Sequence, residues 1–177
     1  MSAYGRVQQW ATFCRVWHIY DAKWQNPFDS AKLIIKYLTG KYKPIYHPQS
    51  KLILKIVINC KHIALPGDEW KRRVYFHHTG YPGGASWTLA YDLHKKDPTM
   101  IMKKAVYSSL DKNLQRRHTM ERLHLYDEEK VPKEILENVS SQIEQLRIVP
   151  RKLKSYSEKE IEEFPKLANY STDYVRK

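Results

Sequence analysis

The chain has 177 residues, about the size of one domain with extensions, and its 42% hydrophobic and 12% aromatic residues suffice for a folded core. No apolar run approaches the roughly 18 residues of a membrane span, and the first twenty residues lack the plan of a secretory signal, so neither class is expected. The formal net charge of +12 favours a polyanion partner, and nucleic acid is preferred over a membrane surface.

The positive charge is concentrated in the first part of the chain. Residues 1–126 carry 21 basic and 8 acidic side chains (net +13), whereas 127–177 carry 10 and 11 (net −1), and all eight histidines lie in the first part. The polyanion-binding surface is therefore expected within 1–126. Cys14 and Cys60 have no metal or disulfide spacing and are interpreted as buried small hydrophobic residues.

The first half of the chain reads as a strand–helix–strand unit. Alternating aromatic and branched residues predict a strand over 16–20, and Asp29 or Ser30 is expected to cap a helix that ends at Gly40. The prolines in 41–48 predict an exposed connection. The branched run 53–59 is typical of a strand covered on both faces in a parallel sheet.

Short elements are predicted next. Residues 74–76 favour a third strand leading into a glycine-rich loop over 77–84, and helices are expected over 88–95 and from Asp97-Pro98 to about Leu110. A basic helical piece then gives way to a fourth strand over 123–126, where the sheet is predicted to end.

Residues 127–177 are predicted to form a helical extension. Ile135, Leu136, Val139 and Ile143 mark one amphipathic helix, and a capping box made by Ser157 and Glu160 predicts a second. Because the segment is almost neutral, it is expected to pack on the domain or on a neighbouring protein, and a protein-interaction module built on 127–177 remains an alternative.

The chemistry-bearing motifs are sparse. Neither G-x-G-x-x-G nor G-x-x-x-x-G-K-[ST] follows the first strand, so a nucleotide site is not expected, and neither are a cofactor, a small-molecule substrate or a metal. His77 and His78 beside Arg72 and Arg73 allow an alternative, an RNA-processing nuclease. Adjacent strand residues point to opposite sides, however, so only one imidazole would face a given substrate.

Basic residues interleaved with aromatic ones form the candidate binding site. Cations neutralise phosphates and planar rings stack on unpaired bases, so this mixture suits folded RNA. Not every such residue need contact RNA. Tyr75 could instead pack in the core, and the two adjacent lysines at 103–104 could instead lie on the solvated face of a helix. The predicted RNA-binding residues are Lys41, Lys43, His47, Arg72, His77, His78, Tyr81, Lys103, Lys104, Lys112, Arg116 and Arg117.

Five blocks of the sequence, in order and near the family's spacing, resemble the large-subunit ribosomal protein L13 family and particularly its mitochondrial branch. The blocks are 17–22, 38–48, 56–60, 75–84 and 105–123, the last through Ala105-Val106, Lys112-Asn113-Leu114 and Arg122-Leu123. The family's first-helix opening, the turn before its second strand and its Gly-Met-Leu-Pro-Lys-Asn loop are altered here, at 28–31, 50–52 and 108–113.

The resemblance implies a three-layer α/β/α domain around a four-stranded parallel sheet, with no catalytic residues. It implies a structural constituent of the mitochondrial large ribosomal subunit that binds large-subunit ribosomal RNA beside neighbouring ribosomal proteins. We therefore expect an N-terminal arm over 1–15, an RNA-binding α/β domain over 16–126 and the helical extension over 127–177, in a protein of the mitochondrial matrix.

Overall fold

A computed structural model describes residues 16–43, 46 and 53–165. The strands are β1 (Val16–Asp21), β2 (Ile53–Ile58), β3 (Val74–His78), β4 (Ala85–Leu89), β5 (Leu123–Leu125) and β6 (Val139–Ile143). The α-helices are α1 (Pro27–Leu38), α2 (Glu69–Arg72), α3 (Ala90–Lys96), α4 (Met100–Ser109), α5 (Arg116–Met120), α6 (Lys133–Leu136) and α7 (Glu158–Glu162), with 3₁₀ turns at Cys60–His62 and Leu153–Ser155.

Four strands form a parallel sheet in the order β5-β2-β1-β6. Strand β1 is central, with Ile19 opposite Ile56 of β2 and Tyr20 opposite Ile143 of β6. Ile56, Val57 and Ile58 of β2 are buried, as expected for an interior strand whose two faces are covered. The α/β class and the four-stranded parallel sheet are confirmed.

Helix α1 packs against β2 and α4 and forms the core with them. Its Ala31, Ile34 and Leu38 are buried on one face, as their spacing predicts. The predicted cap at Asp29 or Ser30 is wrong, since Asn26 caps the helix by accepting a hydrogen bond from the Phe28 N–H, and Pro27 takes the first helical position. Ser30 instead bonds the Tyr20 hydroxyl at 2.8 Å.

One predicted sheet strand and one predicted helix are corrected by the structure. Strand β3 does not join the parallel sheet but pairs antiparallel with β4, across a loop over 79–84. The predicted helix through Val139 and Ile143 is also wrong, because these residues belong to β6, which pairs with β1. Their four-residue spacing fits both a helical face and a strand's alternation, and pairing with β1 decides between them. The parallel sheet thus continues past residue 126.

The remaining elements lie close to their predicted positions. Helix α3 begins at Ala90 rather than Thr88, because Thr88 pairs with Tyr75 in the antiparallel pair. Asp97 accepts hydrogen bonds from the Thr99 N–H and hydroxyl at the start of α4. The basic helix α5 before β5 and the capping box of α7 are confirmed.

The cysteine prediction is confirmed for one of the two residues. Cys60 is fully buried, and burial raises the pKa of its thiol to about 12. Cys14 and the proposed arm over 1–15 lie outside the described residues, as does most of the connection over 44–52. Of the described residues in the predicted connection over 41–48, Lys41 and Tyr46 are exposed as expected, whereas Tyr42 and Lys43 are half-buried.

Candidate nucleic-acid interface

The predicted RNA-binding residues separate into three groups in the structure. One group surrounds the connection between α4 and α5, a second lies on or beside β3 and its loop, and a third is the pair of lysines on α4, Lys103 and Lys104. Lys43 is half-buried near His18, and His47 lies outside the described residues.

A basic groove runs along the α4–α5 connection. It encloses about 800 Å³. Arg116 is held in place because its guanidinium lies 3.6 Å from the centre of the Tyr107 ring and donates to the Tyr107 carbonyl oxygen. Lys112 and Arg117 are exposed beside it. The groove is lined by Tyr107, Lys112, Asn113, Leu114, Arg116, Arg117, His118 and Glu121.

Lys41 reaches the same region from the end of α1. Its Nζ lies 3.2 Å from the Asp111 carboxylate, and both side chains are exposed. A smaller cavity of about 90 Å³ lies between the end of α1 and the α4–α5 connection, and Asn113 and Arg116 line both it and the groove. The structure thus brings Lys41, Lys112, Arg116 and Arg117 into one region, which their sequence separation does not reveal.

The β3–β4 hairpin, residues 74–89, carries the second group. His77 and His78 are exposed on its opposite faces, and the His78 Nδ1 accepts a 2.8 Å hydrogen bond from the Gly80 N–H. Tyr81 is 76% exposed in the loop. Arg72 precedes the hairpin in α2, exposed and 3.8 Å from the Asp68 carboxylate.

The two lysines on α4 have different surroundings. Lys103 is exposed to solvent, whereas Lys104 is half-buried with its Nζ 5.7 Å from the centre of the Tyr75 ring. Tyr75 is half-buried against the core, where its alternative interpretation placed it. Lys104 therefore contacts the inner face of the hairpin.

A buried polar cluster beneath α1 is absent from the sequence prediction. Lys55 of β2 is 0% exposed, and its Nζ donates to the Ile34 carbonyl at 3.2 Å and lies 4.7 Å from the centre of the Tyr37 ring. Burial lowers its pKa to about 7. The opposing His18 hydrogen-bonds the Ser141 and Tyr42 hydroxyls.

Burial also lowers the pKa of His18, and the charges of Lys55 and Lys43 add to this effect. A lysine at an inward position of an apolar strand is the one sequence signal that marks this cluster. The buried polar cluster lies in the interior of the fold and is separate from the basic groove.

Sequence reasoning also missed several exposed side chains. Tyr107, Leu114 and His118 line the groove, and their proximity to the predicted cations in α4 and α5 was the available signal. Phe76 and Trp87 are 56% and 67% exposed on the hairpin, where the alternating pattern of a two-stranded pair would have placed them on one face. In the part of the chain that the structure describes, no cluster of three metal-ligating side chains occurs and no helix is long and apolar enough to cross a membrane.

Comparison with known proteins identifies the family. A family model described as Ribosomal protein L13 matches residues 15–132. Large ribosomal subunit protein uL13m of Drosophila melanogaster is 60% identical over 176 residues, which cover 99% of each chain. The proteins named uL13 from Dictyoglomus thermophilum and Geobacter sulfurreducens are 36% and 35% identical over 113 residues, 63% of this chain and 80% and 79% of theirs. The chain therefore belongs to the ribosomal protein L13 family.

Proposed function

We propose that this chain is a structural constituent of the mitochondrial large ribosomal subunit, where it binds and stabilises large-subunit ribosomal RNA during assembly and translation. The observation that carries this proposal is the 60% identity to uL13m over almost the whole of both chains. The bacterial relatives match only 63% of this chain. The mitochondrial relative also extends over most of the segment beyond residue 132, where the family match ends.

The basic groove is the part of the molecule best suited to hold ribosomal RNA. Lys112 and Arg117 are exposed there, and stacking on Tyr107 limits the motion of Arg116. An ordered guanidinium loses less conformational entropy when it contacts a phosphate. Lys41 and the hairpin residues His77, His78 and Tyr81 would extend the contact surface. Glu121, which lines the groove, and Asp111, which lines the smaller cavity beside it, reduce the positive charge locally.

The segment 127–177 is proposed to contact neighbouring large-subunit proteins. Its near-neutral charge gives it little attraction for RNA. Strand β6 fixes part of the segment to β1, and the Gln25 side chain hydrogen-bonds the backbone of Arg147 at 2.7 and 3.0 Å. These contacts would hold the segment's exposed residues in a defined position for a partner.

The nuclease alternative gains no support from the arrangement of its two histidines. His77 and His78 lie on opposite faces of β3, so they cannot act as an acid–base pair on one phosphate. The role expected for a member of this family is structural rather than enzymatic. Cleavage of RNA by the purified chain, abolished by His77→Ala or His78→Ala with binding retained, would restore the alternative.

The salt dependence of RNA binding tests the role of the groove. Replacing Lys112 and Arg117 by Ala should lower the log–log salt slope for a large-subunit ribosomal RNA fragment by about 1.4–1.8, since each phosphate contact contributes roughly 0.7–0.9. Lys130→Ala with Lys133→Ala is the matched control, because both lysines are exposed but lie beyond residue 126. An equal change in both double variants would refute the groove assignment.

Sedimentation of organelle lysate tests the wider proposal. The tagged wild-type chain should travel with large ribosomal subunits, and the variant lacking the two groove cations should be depleted from that fraction. A wild-type chain found only in the unassembled fractions would contradict a ribosomal role.

A further inference from the structure

The outer face of the β3–β4 hairpin is a row of exposed rings. Phe76 pairs across the strands with Trp87, their ring centres are 5.4 Å apart, and the His78 ring lies 6.1 Å from that of Phe76. Trp87 and Phe76 are both more than half exposed. Large rings with this much exposure form an unusual surface unless a partner covers them.

The inner face of the hairpin is occupied, which fixes the direction of the ring row. Tyr75 packs against the core, and Lys104 of α4 lies over its ring. Ala90, which follows β4 directly, is fully buried, and its N–H donates to the carbonyl oxygen of Arg73, which precedes β3 at the same end of the hairpin, its base. The hairpin is therefore attached through its base and inner face, and Phe76, His78 and Trp87 point away from that attachment.

We propose that this outer face stacks unpaired RNA nucleotides on Phe76 and Trp87. The inference rests on the proposed ribosomal function and adds two residues and a nucleotide class to it. Aromatic side chains on an exposed sheet face can each accept one base, and the stacking tolerates any base because every base has a π-face. The Phe76 and Trp87 rings are tilted by 51° to each other, so parallel, mutually stacked bases could not lie flat on both rings, and the face suits bases that are splayed apart rather than a duplex.

Charge favours RNA over a protein as the occupant. Residues 74–89 contain no Asp or Glu, so the hairpin itself does not repel phosphates. The cations Lys71 and Arg72 are exposed just before β3, and His78 and the exposed Tyr81 continue the surface into the loop.

The small extent of the outer face also favours RNA over a protein as the occupant. Stable protein interfaces use about 20–30 residues on each side, whereas this face offers three positions per strand. Two or three nucleotides match its extent.

Binding of two charge-matched probes tests the proposal. The full chain is titrated into an end-labelled 12-nucleotide oligouridine and into a 12-unit abasic ribose-phosphate chain. The wild type should prefer oligouridine by roughly 5- to 150-fold per stacked base. Phe76→Leu with Trp87→Leu should bind both probes equally. Phe76→Tyr with Trp87→Phe, which keeps the rings, should retain the preference.

Two controls separate stacking from folding and from phosphate contact. Trp24→Leu removes a ring that is 63% exposed, comparable to Trp87, at the carboxyl end of β1, and should leave the preference unchanged. Lys112→Ala with Arg117→Ala should weaken binding of both probes by the same factor. The thermal midpoint of the leucine double variant should stay near that of the wild type, since exposed side chains contribute little to stability.

The possible results distinguish this inference from the proposed function. A wild type that binds both probes equally, or a leucine double variant that keeps the preference, overturns the inference and leaves the ribosomal role intact. Absence of binding to both probes at low salt, together with absence from the large subunit, refutes both. A photocrosslinking residue at position 87 in the assembled subunit should yield nucleotide adducts, and peptide adducts alone would assign the face to a protein and overturn the inference.

Discussion

The parallel sheet and the β3–β4 hairpin use similar apolar side chains in opposite ways. Ile56 and Val57 of β2 are 0% exposed, whereas Phe76 and Trp87 of the hairpin are more than half exposed. Burial makes the sheet the source of stability, because the removal of apolar surface from water is the main favourable contribution to folding. The hairpin buries little on its outer face, so its exposed rings are better explained by recognition than by folding. Stability and binding are therefore expected to respond to different substitutions.

Truncation of a core side chain should have the largest effect on stability. Ile101 on α4 is fully buried in the cluster that joins α1 and the sheet, so Ile101→Ala should lower the free energy of unfolding by about 2–5 kcal/mol. Leu89→Ala on the hairpin removes the same number of carbons from an exposed side chain and should cost less than half as much. Urea denaturation of both variants measures the difference. Equal losses would contradict the contrast between the two regions.

The buried Lys55 should make the stability of the sheet depend on pH. Its folded pKa of about 7 lies below the ordinary 10.5, so between these values the unfolded chain binds more protons, and stability rises with pH by up to about 1.4 kcal/mol per unit. The lowered pKa of His18 acts in the same direction below its ordinary 6.5. Urea denaturation from pH 7 to about 8.5 measures the slope. Above pH 9.0 the buried thiol of Cys60, whose pKa is raised, opposes it.

Lys55→Met isolates this effect. The variant keeps an unbranched side chain one atom shorter and removes its charge, so stability should become nearly flat between pH 7 and 8.5 and should increase most at the lower end. Tyr37, Tyr42, Lys43 and Ser141 also surround the cluster, and His18, whose pKa is lowered from 6.5, changes charge below this window. A slope that persists in the variant would show that Lys55 does not cause it.

The hairpin loop should be sensitive at one glycine for a steric reason. A Cβ at Gly84 would lie 2.0 Å from the Thr79 Oγ1 and 2.9 Å from the Tyr81 carbonyl oxygen, so Gly84→Ala should destabilise the hairpin by about 1–3 kcal/mol. Hydrogen exchange at the Thr79 and Gly84 amides, both bonded within the loop, should accelerate while the amides of β1 stay protected. Adding Thr79→Ala should rescue only part of the loss, because the backbone contact remains. Accelerated exchange throughout β1 would show that the hairpin and the sheet unfold together.

The parallel sheet and the hairpin also differ in how well their secondary structure and strand pairing could be predicted from the sequence. The strands β1 and β2 and the helices α1 and α4 could be predicted because the spacing of their apolar residues specifies them, although the capping residue of α1 was predicted three to four positions too late. The partner of β3 could not, because five residues of strand pattern do not distinguish a parallel sheet from a local hairpin. Strand β6 was mistaken for a helix since Val139 and Ile143 satisfy both periodicities, and only pairing with β1 decides.

The candidate site divides in the same way. The cationic residues near the α4–α5 connection could be predicted as binding residues from their charge alone. The structure brings them together with Lys41. The exposure of the Phe76 and Trp87 rings could not be predicted, since an aromatic residue in a strand is usually part of the core. The burial of Lys55 could not be predicted either, because a lysine side chain is usually exposed. Exposure depends on tertiary packing, which a single sequence specifies only indirectly.

The smallest effect is expected where a predicted RNA contact also forms an ion pair. Lys41 and Asp111 are 3.2 Å apart on the exposed rim between α1 and the α4–α5 connection, and a double-mutant cycle to Ala should give a coupling energy of about 0.2–1 kcal/mol. In RNA binding, Asp111→Ala alone should steepen the salt slope, because it frees Lys41 for a phosphate, whereas Lys41→Ala should flatten it by about 0.7–0.9. A large coupling energy with no change in either salt slope would assign the pair to the folded frame and remove Lys41 from the RNA-binding surface.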